Sequence, residues 1–175
     1  MNNLQHKSKG FTLIELIIVI VILGILSVIA APRFIDITSD ANAATMQSMA
    51  SAMESANQLV YAKALIQGLQ NEADTDIDLD GDGVSDVNLN YGYVSASRSN
   101  GLSKVLDESL ATDWTWSTTF GDTDFRLTTA SIGGRIGQYV NSSHINGSEC
   151  YIIYEPSTGV GQKPSIAIMP NLDCN

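Results

Sequence analysis

The feature that most constrains this chain is a run of 21 residues, Phe11 to Ala31, in which Glu15 is the only charged side chain. At about 1.5 Å of rise per residue, a helix of that length spans roughly 30 Å, the hydrocarbon thickness of a bilayer. The run therefore suits one membrane-crossing helix. A carboxylate inside such a segment costs roughly 2.5–3.5 kcal/mol on insertion scales, so Glu15 marks a functional position that needs a partner.

The residues before the run sharpen this reading. Met1 to Gly10 is short and polar and carries His6, Lys7 and Lys9. An ordinary secretory signal places its small-residue cleavage site after the apolar stretch. Here the small residue, Gly10, precedes it. A cut between Gly10 and Phe11 would remove the basic leader and leave the apolar helix as a new N-terminus. Glu15 would then share a helix face with the free α-amino group of Phe11 at i,i+4. Opposite charges in a low-dielectric setting partly offset each other's burial cost. An amine on a neighbouring chain would serve equally and would fix axial register between copies. Lys7 and Lys9 precede the span, while Arg33 beyond it is followed by Asp36 and Asp40. The positive-inside rule thus puts the N-terminus in the cytoplasm and the rest outside.

The arrangement Gly10-Phe11-Thr12-Leu13-Ile14-Glu15-Leu16 ahead of an apolar run resembles the signal of type IV pilins and pseudopilins, tightly over about residues 7–40 and more loosely beyond. The resemblance implies that a prepilin peptidase cuts after Gly10 and N-methylates Phe11, and that Glu15 pairs with the N-terminus of an adjacent subunit. A plain single-pass anchor with a chance glutamate is the alternative.

Charge narrows the partners. The formal net charge is −10, and it becomes −12 once Lys7 and Lys9 leave with the leader. Nucleic acids and anionic lipids need basic patches, so neither is expected as a partner. The two cysteines, Cys150 and Cys174, fall in the extracytoplasmic part, where disulfides persist, and read as one bridge. Such a bridge would stabilise the fold by roughly 3 kcal/mol in the chain-entropy model. Two buried free thiols are the alternative. The resemblance makes this the disulfide-bounded C-terminal region of a pilin, often exposed on the filament.

Gly24, Ser27 and Pro32 interrupt the apolar helix pattern. Glycine costs about 1 kcal/mol relative to alanine mid-helix, and proline removes a backbone hydrogen bond. The spacing allows a gentle kink, and the resemblance implies a stretch from Gly24 to Pro32 that unwinds in the assembled filament. After Pro32 the pattern turns amphipathic. Met46, Met49, Met53, Ala56, Val60 and Ala64 step by three and four along one face. One helix from about Phe11 to about Gln67 is predicted, with Gly68 as terminator.

Residues 72–86 hold seven carboxylates: Glu72, Asp74, Asp76, Asp78, Asp80, Asp82 and Asp86. The spacing is that of a calcium loop, with oxygens at positions 1, 3, 5, 7 and 9 and glycine at 6. One register fits, with Asp78, Asp80, Asp82, Gly83, the Val84 carbonyl and Asp86. Leu89 stands where an EF-hand has its bidentate glutamate, so this is not an EF-hand. The loop resembles the D-x-D-x-D-G-x-x-D loops of extracellular calcium-binding repeats. Hard oxygen ligands favour Ca²⁺, with a weak affinity of about 10⁻⁴–10⁻³ M. A solvated acidic loop is the alternative.

The remaining signals are coarser. Leu102 to Leu110 reads as a short amphipathic helix. Phe125–Ile132, Cys150–Glu155 and Ser165–Met169 read as strands, the last two with the cysteines at ends compatible with antiparallel neighbours. Trp114 and Trp116 lie on one side of a strand, as core or as a sugar-stacking pair. Asn141-Ser142-Ser143 and Asn146-Gly147-Ser148 match the short glycosylation sequon. There is no catalytic constellation: His144 is the only histidine beyond the leader, and no C-x-x-C, P-loop, H-E-x-x-H or G-x-S-x-G occurs.

The sequence therefore predicts an α+β chain, with one long N-terminal helix packed on a small C-terminal antiparallel sheet, as in the type IV pilin fold. Its expected divisions are a leader at 1–10, a transmembrane and filament-core half-helix at 11–31, an amphipathic half-helix at 32–67 and a head at 68–175. The head includes the acidic loop at 72–88 and the cysteine-bounded region at 150–174. The resemblance implies a non-enzymatic, self-polymerising subunit, and within the family the chain resembles mannose-sensitive-haemagglutinin-type pilins on the G-F-T-L-I-E-L-I run, Ala31-Pro32-Arg33-Phe34 and the D-x-D-G-D-G insert before Tyr91-Gly92-Tyr93. Its partners would be prepilin peptidase and the pilus assembly machinery in the inner membrane of a Gram-negative cell. An extracellular pilus for adhesion and biofilm formation would be the product. A major pseudopilin of type II secretion and a non-polymerising membrane-anchored calcium-binding domain are the competing readings.

Overall fold

A computed structural model describes residues 11–106, 110, 112–134, 138–148 and 150–169, with the side chains of 30–39 and 138–139 excepted. The leader, with Gly10, and the C-terminal residues, with Cys174, lie outside the described residues. The chain divides into two compact units, one ending at Ser39 and one beginning at Asp40.

Helix α1 spans Leu13–Gln67 without a break at Gly24 or Pro32. In the first unit every described side chain from Phe11 to Ile29 is exposed. Ser27 turns its hydroxyl back onto the Leu23 carbonyl (2.7 Å), which keeps this polar group satisfied within the helix.

In the second unit α1 buries Met46, Met49, Met53, Val60 and Ala64, five of the six expected stripe positions. Ala56 is only half-buried, and Asn57 takes the inward position instead. Asparagine fits there because its amide is fully used. Its Nδ2 donates to the Met53 carbonyl (3.0 Å), and its Oδ1 accepts from the Val94 N–H (3.1 Å) and the Tyr154 hydroxyl (3.0 Å). Tyr154 also donates to the Val94 carbonyl. Burial pushes the Tyr154 hydroxyl's pKa far above its usual range, so it remains a donor. The helix ends as predicted at Gly68 (φ +75°). Gly68 N–H donates to Leu65 (3.2 Å) and Leu69 N–H to Ala64 (2.9 Å), the paired bonds of a Schellman motif.

Two sheets pack in this unit. The first is antiparallel in the order β1-β2-β3, from β1 (Thr75–Ile77), β2 (Val87–Asn90) and β3 (Tyr93–Val94). The sequence did not foretell it. Its strands flank the acidic stretch, so 72–88 is a hairpin with an acidic turn rather than a loop throughout. Ile77, Val87 and Leu89 alternate with polar residues and face the core, a signal masked by the density of aspartates.

The second sheet has the order β6-β4-β5-β7-β8, from β4 (Trp114–Thr118), β5 (Phe125–Thr129), β6 (Gln138–Tyr139), β7 (Tyr151–Glu155) and β8 (Ser165–Met169). β4–β5, β5–β7 and β7–β8 are antiparallel as expected, while β6 joins β4 in parallel. Helix α2 covers only Leu102–Val105 of the stretch read as a helix to Leu110, and 107–109 lie outside the described residues. The strand read as reaching Ile132 stops at Thr129 and turns into α3 (Ala130–Gly133), capped by Gly134 at φ +71°. α3 and α4 (Ser142–Asn146) pack against β4 and β5. A Cβ on Gly133 would lie 2.8 Å from Thr128 Cγ2 and 2.9 Å from Thr115 Cβ, so only glycine lets α3 approach this closely. Trp114 is in the core, and Trp116 stacks on Phe125 with centroids 5.4 Å apart, so both indoles pack in the protein.

Candidate functional site

The first candidate site is the start of α1. Thr12 donates to Glu15 Oε2 through both its N–H and its hydroxyl, each at 2.8 Å, and the Glu15 N–H donates back to Thr12 Oγ1 (3.3 Å). This is a reciprocal capping box, which satisfies donors that a helix N-terminus otherwise leaves open. Thr12 is a residue the sequence reading passed over, although T-x-x-E ahead of an apolar run is that motif's signature. The box fixes the Glu15 carboxylate at the helix end, against Thr12, the residue next to Phe11. Oε1 keeps its lone pairs among the described residues, so the carboxylate has room for an amine as well as for Thr12.

From Phe11 to Ile29, exposure of the large apolar side chains runs from 43% at Ile17 to 84% at Phe11. An apolar helix surface open on all sides belongs in lipid or against other helices. Among the described residues no helix is long and apolar enough to cross a membrane. The described side chains stop at Ile29, two residues short of the end of the apolar run. A Cβ on Gly24 would meet nothing within 4 Å, so no packing inside this chain calls for glycine there.

The second candidate site is the acidic turn between β1 and β2. Carboxylate oxygens of Asp78, Asp80 and Asp86 all lie within 4.8 Å of one another. Backbone amides hold them in place. Asp78 accepts from Gly81 N–H (2.6 Å) and Gly83 N–H (2.8 Å), and Asp86 accepts from Leu79 N–H (2.7 Å). Gly81 and Gly83 take φ of +87° and +89°, which the tight turn requires. The amides of Gly81 and Gly83 hold the Asp78 carboxyl below the usual carboxylate range. Gln67 Nε2 donates to the Asp78 carbonyl (3.0 Å), tying the turn to the end of α1.

Of the expected ligand set, Asp82 stands outside the three-carboxylate cluster and accepts from Val84 N–H (2.8 Å). Asp74 and Asp76 are bound elsewhere. Asn88 Nδ2 donates to Asp74 (2.7 Å) and Asp76 (3.0 Å), and Asn100 Nδ2 donates to Asp76 (3.2 Å). Three converging hard oxygens suit a cation such as Ca²⁺ and offer nothing to an anion.

Cys150 is buried immediately before β7, and among the described residues no cysteine is free. β7 and β8 are antiparallel, with Tyr151 opposite Met169, so β8 ends beside the Cys150 end of β7. His144 Nε2 lies 2.7 Å from the Gly133 carbonyl, a contact that ties α4 to α3. Asn141 caps α4 by accepting from Ser143 N–H (3.0 Å), and Asn146 accepts from Arg126.

Comparison with known families falls on the first site. The prokaryotic N-terminal methylation motif matches residues 5–31. The chain is 56% identical over 61 residues to the type IV narrow pilus major component of Thermus thermophilus. That match covers 35% of this chain and 49% of the relative, so the chain spans about half the length of the curated protein it matches. No solved structure matches. Type IV pilins are structural proteins, not enzymes, and the chain carries their N-terminal methylation motif over the residues that hold Gly10, Phe11 and Glu15.

Proposed function

We propose that this chain is the structural subunit, and the major one, of a type IV pilus. Prepilin peptidase removes the leader after Gly10 and methylates Phe11. The Phe11–Ala31 segment holds the chain in the inner membrane until the pilus assembly machinery draws it into a helical homopolymer. Glu15 then pairs with the Phe11 amine of an adjacent copy. The stretch from Gly24 to Pro32, helical in a single chain, unwinds in the filament. The head faces out, steadied by Ca²⁺ in the Asp78–Asp80–Asp86 turn and by a Cys150–Cys174 bridge, and serves adhesion and biofilm formation.

The observation that carries this reading is the exposure of every described residue from Phe11 to Ile29 around a single fixed carboxylate. An isolated chain cannot keep that surface in water. Lipid covers it before assembly, and copies of the same helix cover it after. The methylation motif and the pilus component of Thermus thermophilus support this reading over a plain anchor.

Mass spectrometry on filaments sheared from cells tests it. An abundant chain beginning at N-methyl-Phe11, two hydrogens lighter than the reduced mass, is expected. A processed chain confined to the membrane fraction would favour a pseudopilin of type II secretion. A chain still carrying Met1–Gly10 would leave only the anchor.

A further inference from the structure

The β4–β5 turn holds an aromatic ring out in solvent. Asp122 N–H donates to the Thr119 carbonyl (3.1 Å) across a four-residue turn, with Gly121 at φ +85° and Asp122 at φ +52°. The Thr119 hydroxyl accepts from Asp124 N–H (3.3 Å) and lies 2.7 Å from the Thr123 hydroxyl. These bonds fix the turn, and Phe120 at its tip is fully exposed. Burying an aromatic side chain removes roughly 150–250 Å² from water, a gain that the fold of one chain leaves untaken at Phe120.

The same unit leaves a groove of 440 Å³ unfilled between α1, Tyr93 of β3 and the start of β8. Tyr61, Tyr93, Pro164 and Ile166 form its apolar lining, and Glu54 and Lys163 are its charges. Tyr61 and Tyr93 stack with centroids 4.4 Å apart and planes 11° apart, which makes one wall aromatic. Glu54 already accepts from Gln58 Nε2 (3.5 Å). Among the described residues Lys163 has neither an ion pair nor a hydrogen-bond partner.

A phenyl ring suits this groove in size and in chemistry, since aromatic rings pack well against one another. Charge agrees with shape. Asp122 stands two residues after Phe120, and its carboxylate also has no partner among the described residues. Opposite charges at the rim of a contact steer the encounter and fix its register. Within one chain the turn cannot reach the groove, because β5 and β7 stand between β4 and β8 at roughly 4.8 Å per strand. The groove is therefore open to another copy. We propose that Phe120 of one copy inserts into the groove walled by Tyr61 and Tyr93 of a second copy, with Asp122 against its Lys163. The contact is heterologous: each head offers its turn to one neighbour and its groove to another. Such contacts propagate into an open helical filament where the rotation does not close. The inference rests on the pilus reading, in which the apolar half-helices hold copies together, and adds which parts of neighbouring heads meet.

Photo-cross-linking in assembled filaments tests it. Phe120→p-benzoylphenylalanine, irradiated in sheared filaments, is expected to give dimers whose linked peptides contain residues 54–61, 93 or 163–166. Phe120→Ala should lower the filament yield roughly tenfold with an unchanged unfolding midpoint of the head. Lys163→Asp should lower it about threefold, and adding Asp122→Lys in the same chain should restore it. Parent filaments whose cross-links fall elsewhere, or that give no cross-link between copies, would overturn this contact and leave the pilus reading standing. Full yield from Phe120→Ala, or a double variant no better than Lys163→Asp, would do the same. A parent chain that forms no filaments would overturn the pilus reading and this contact with it.

Discussion

Up to Ile29 helix α1 exposes every described apolar side chain, whereas from Asp40 onward the same helix buries Met46, Met49, Met53, Val60 and Ala64. Backbone geometry is the same in both units, so the difference lies in the pattern of side chains. An all-round apolar surface cannot be satisfied by one chain, while a stripe with a period near 3.6 is satisfied by a single sheet-bearing domain. The first unit therefore leaves its apolar surface uncovered within the chain, while the second buries a core of its own.

The largest effect that tests this contrast is expected at Glu15. Glu15→Ala should abolish sheared filaments while leaving the head's unfolding midpoint unchanged. A midpoint that falls with the filaments would mean that the two units are not independent. Next comes Asn57→Ala, which strands the buried Val94 N–H. It should destabilise the head by roughly 2–3 kcal/mol and lower the unfolding midpoint by about 10 °C, while membrane insertion is unaffected.

Calcium should act on the head alone. At about 10 mM, and with a dissociation constant of about 10⁻⁴–10⁻³ M, it should stabilise by roughly 1.4–2.7 kcal/mol, a gain that Asp80→Asn diminishes. Chelation should reverse the gain in a thermal melt. Gly68→Ala should cost about 1 kcal/mol, because the site is open in space and only the positive φ is penalised. The smallest effect is at Asp78. Its carboxyl titrates below the usual value when folded, so its contribution is intact above that value and is lost as pH falls through the depressed one. A carboxyl NMR titration should find a midpoint under the ordinary aspartate range, with the Gly81 and Gly83 amide shifts following it.

The long helix was legible almost to the residue, because a stripe of spaced methionines and a terminating glycine are local signals. β7 and β8 were legible for the same reason, as short apolar runs between turns. The β1-β2-β3 sheet was not, because its inward Ile77, Val87 and Leu89 are embedded among aspartates that dominate the local composition. Asn57 was unreadable from periodicity, since a polar residue is admitted to the stripe only by partners 37 and 97 positions away.

At the candidate sites the sequence supplied Glu15 and the aspartate spacing. The structure added Thr12 as the carboxylate's holder and drew Asp74, Asp76 and Asp82 away from the converging three. By itself, the sequence determined what depends on neighbours along the chain: the apolar run, the lone carboxylate, the helix and its stop. Only the tertiary structure decided what depends on distant partners. These are the buried Asn57–Tyr154 pair and the parallel edge strand. Hydrogen bonding and burial across long loops leave no periodic trace in the sequence.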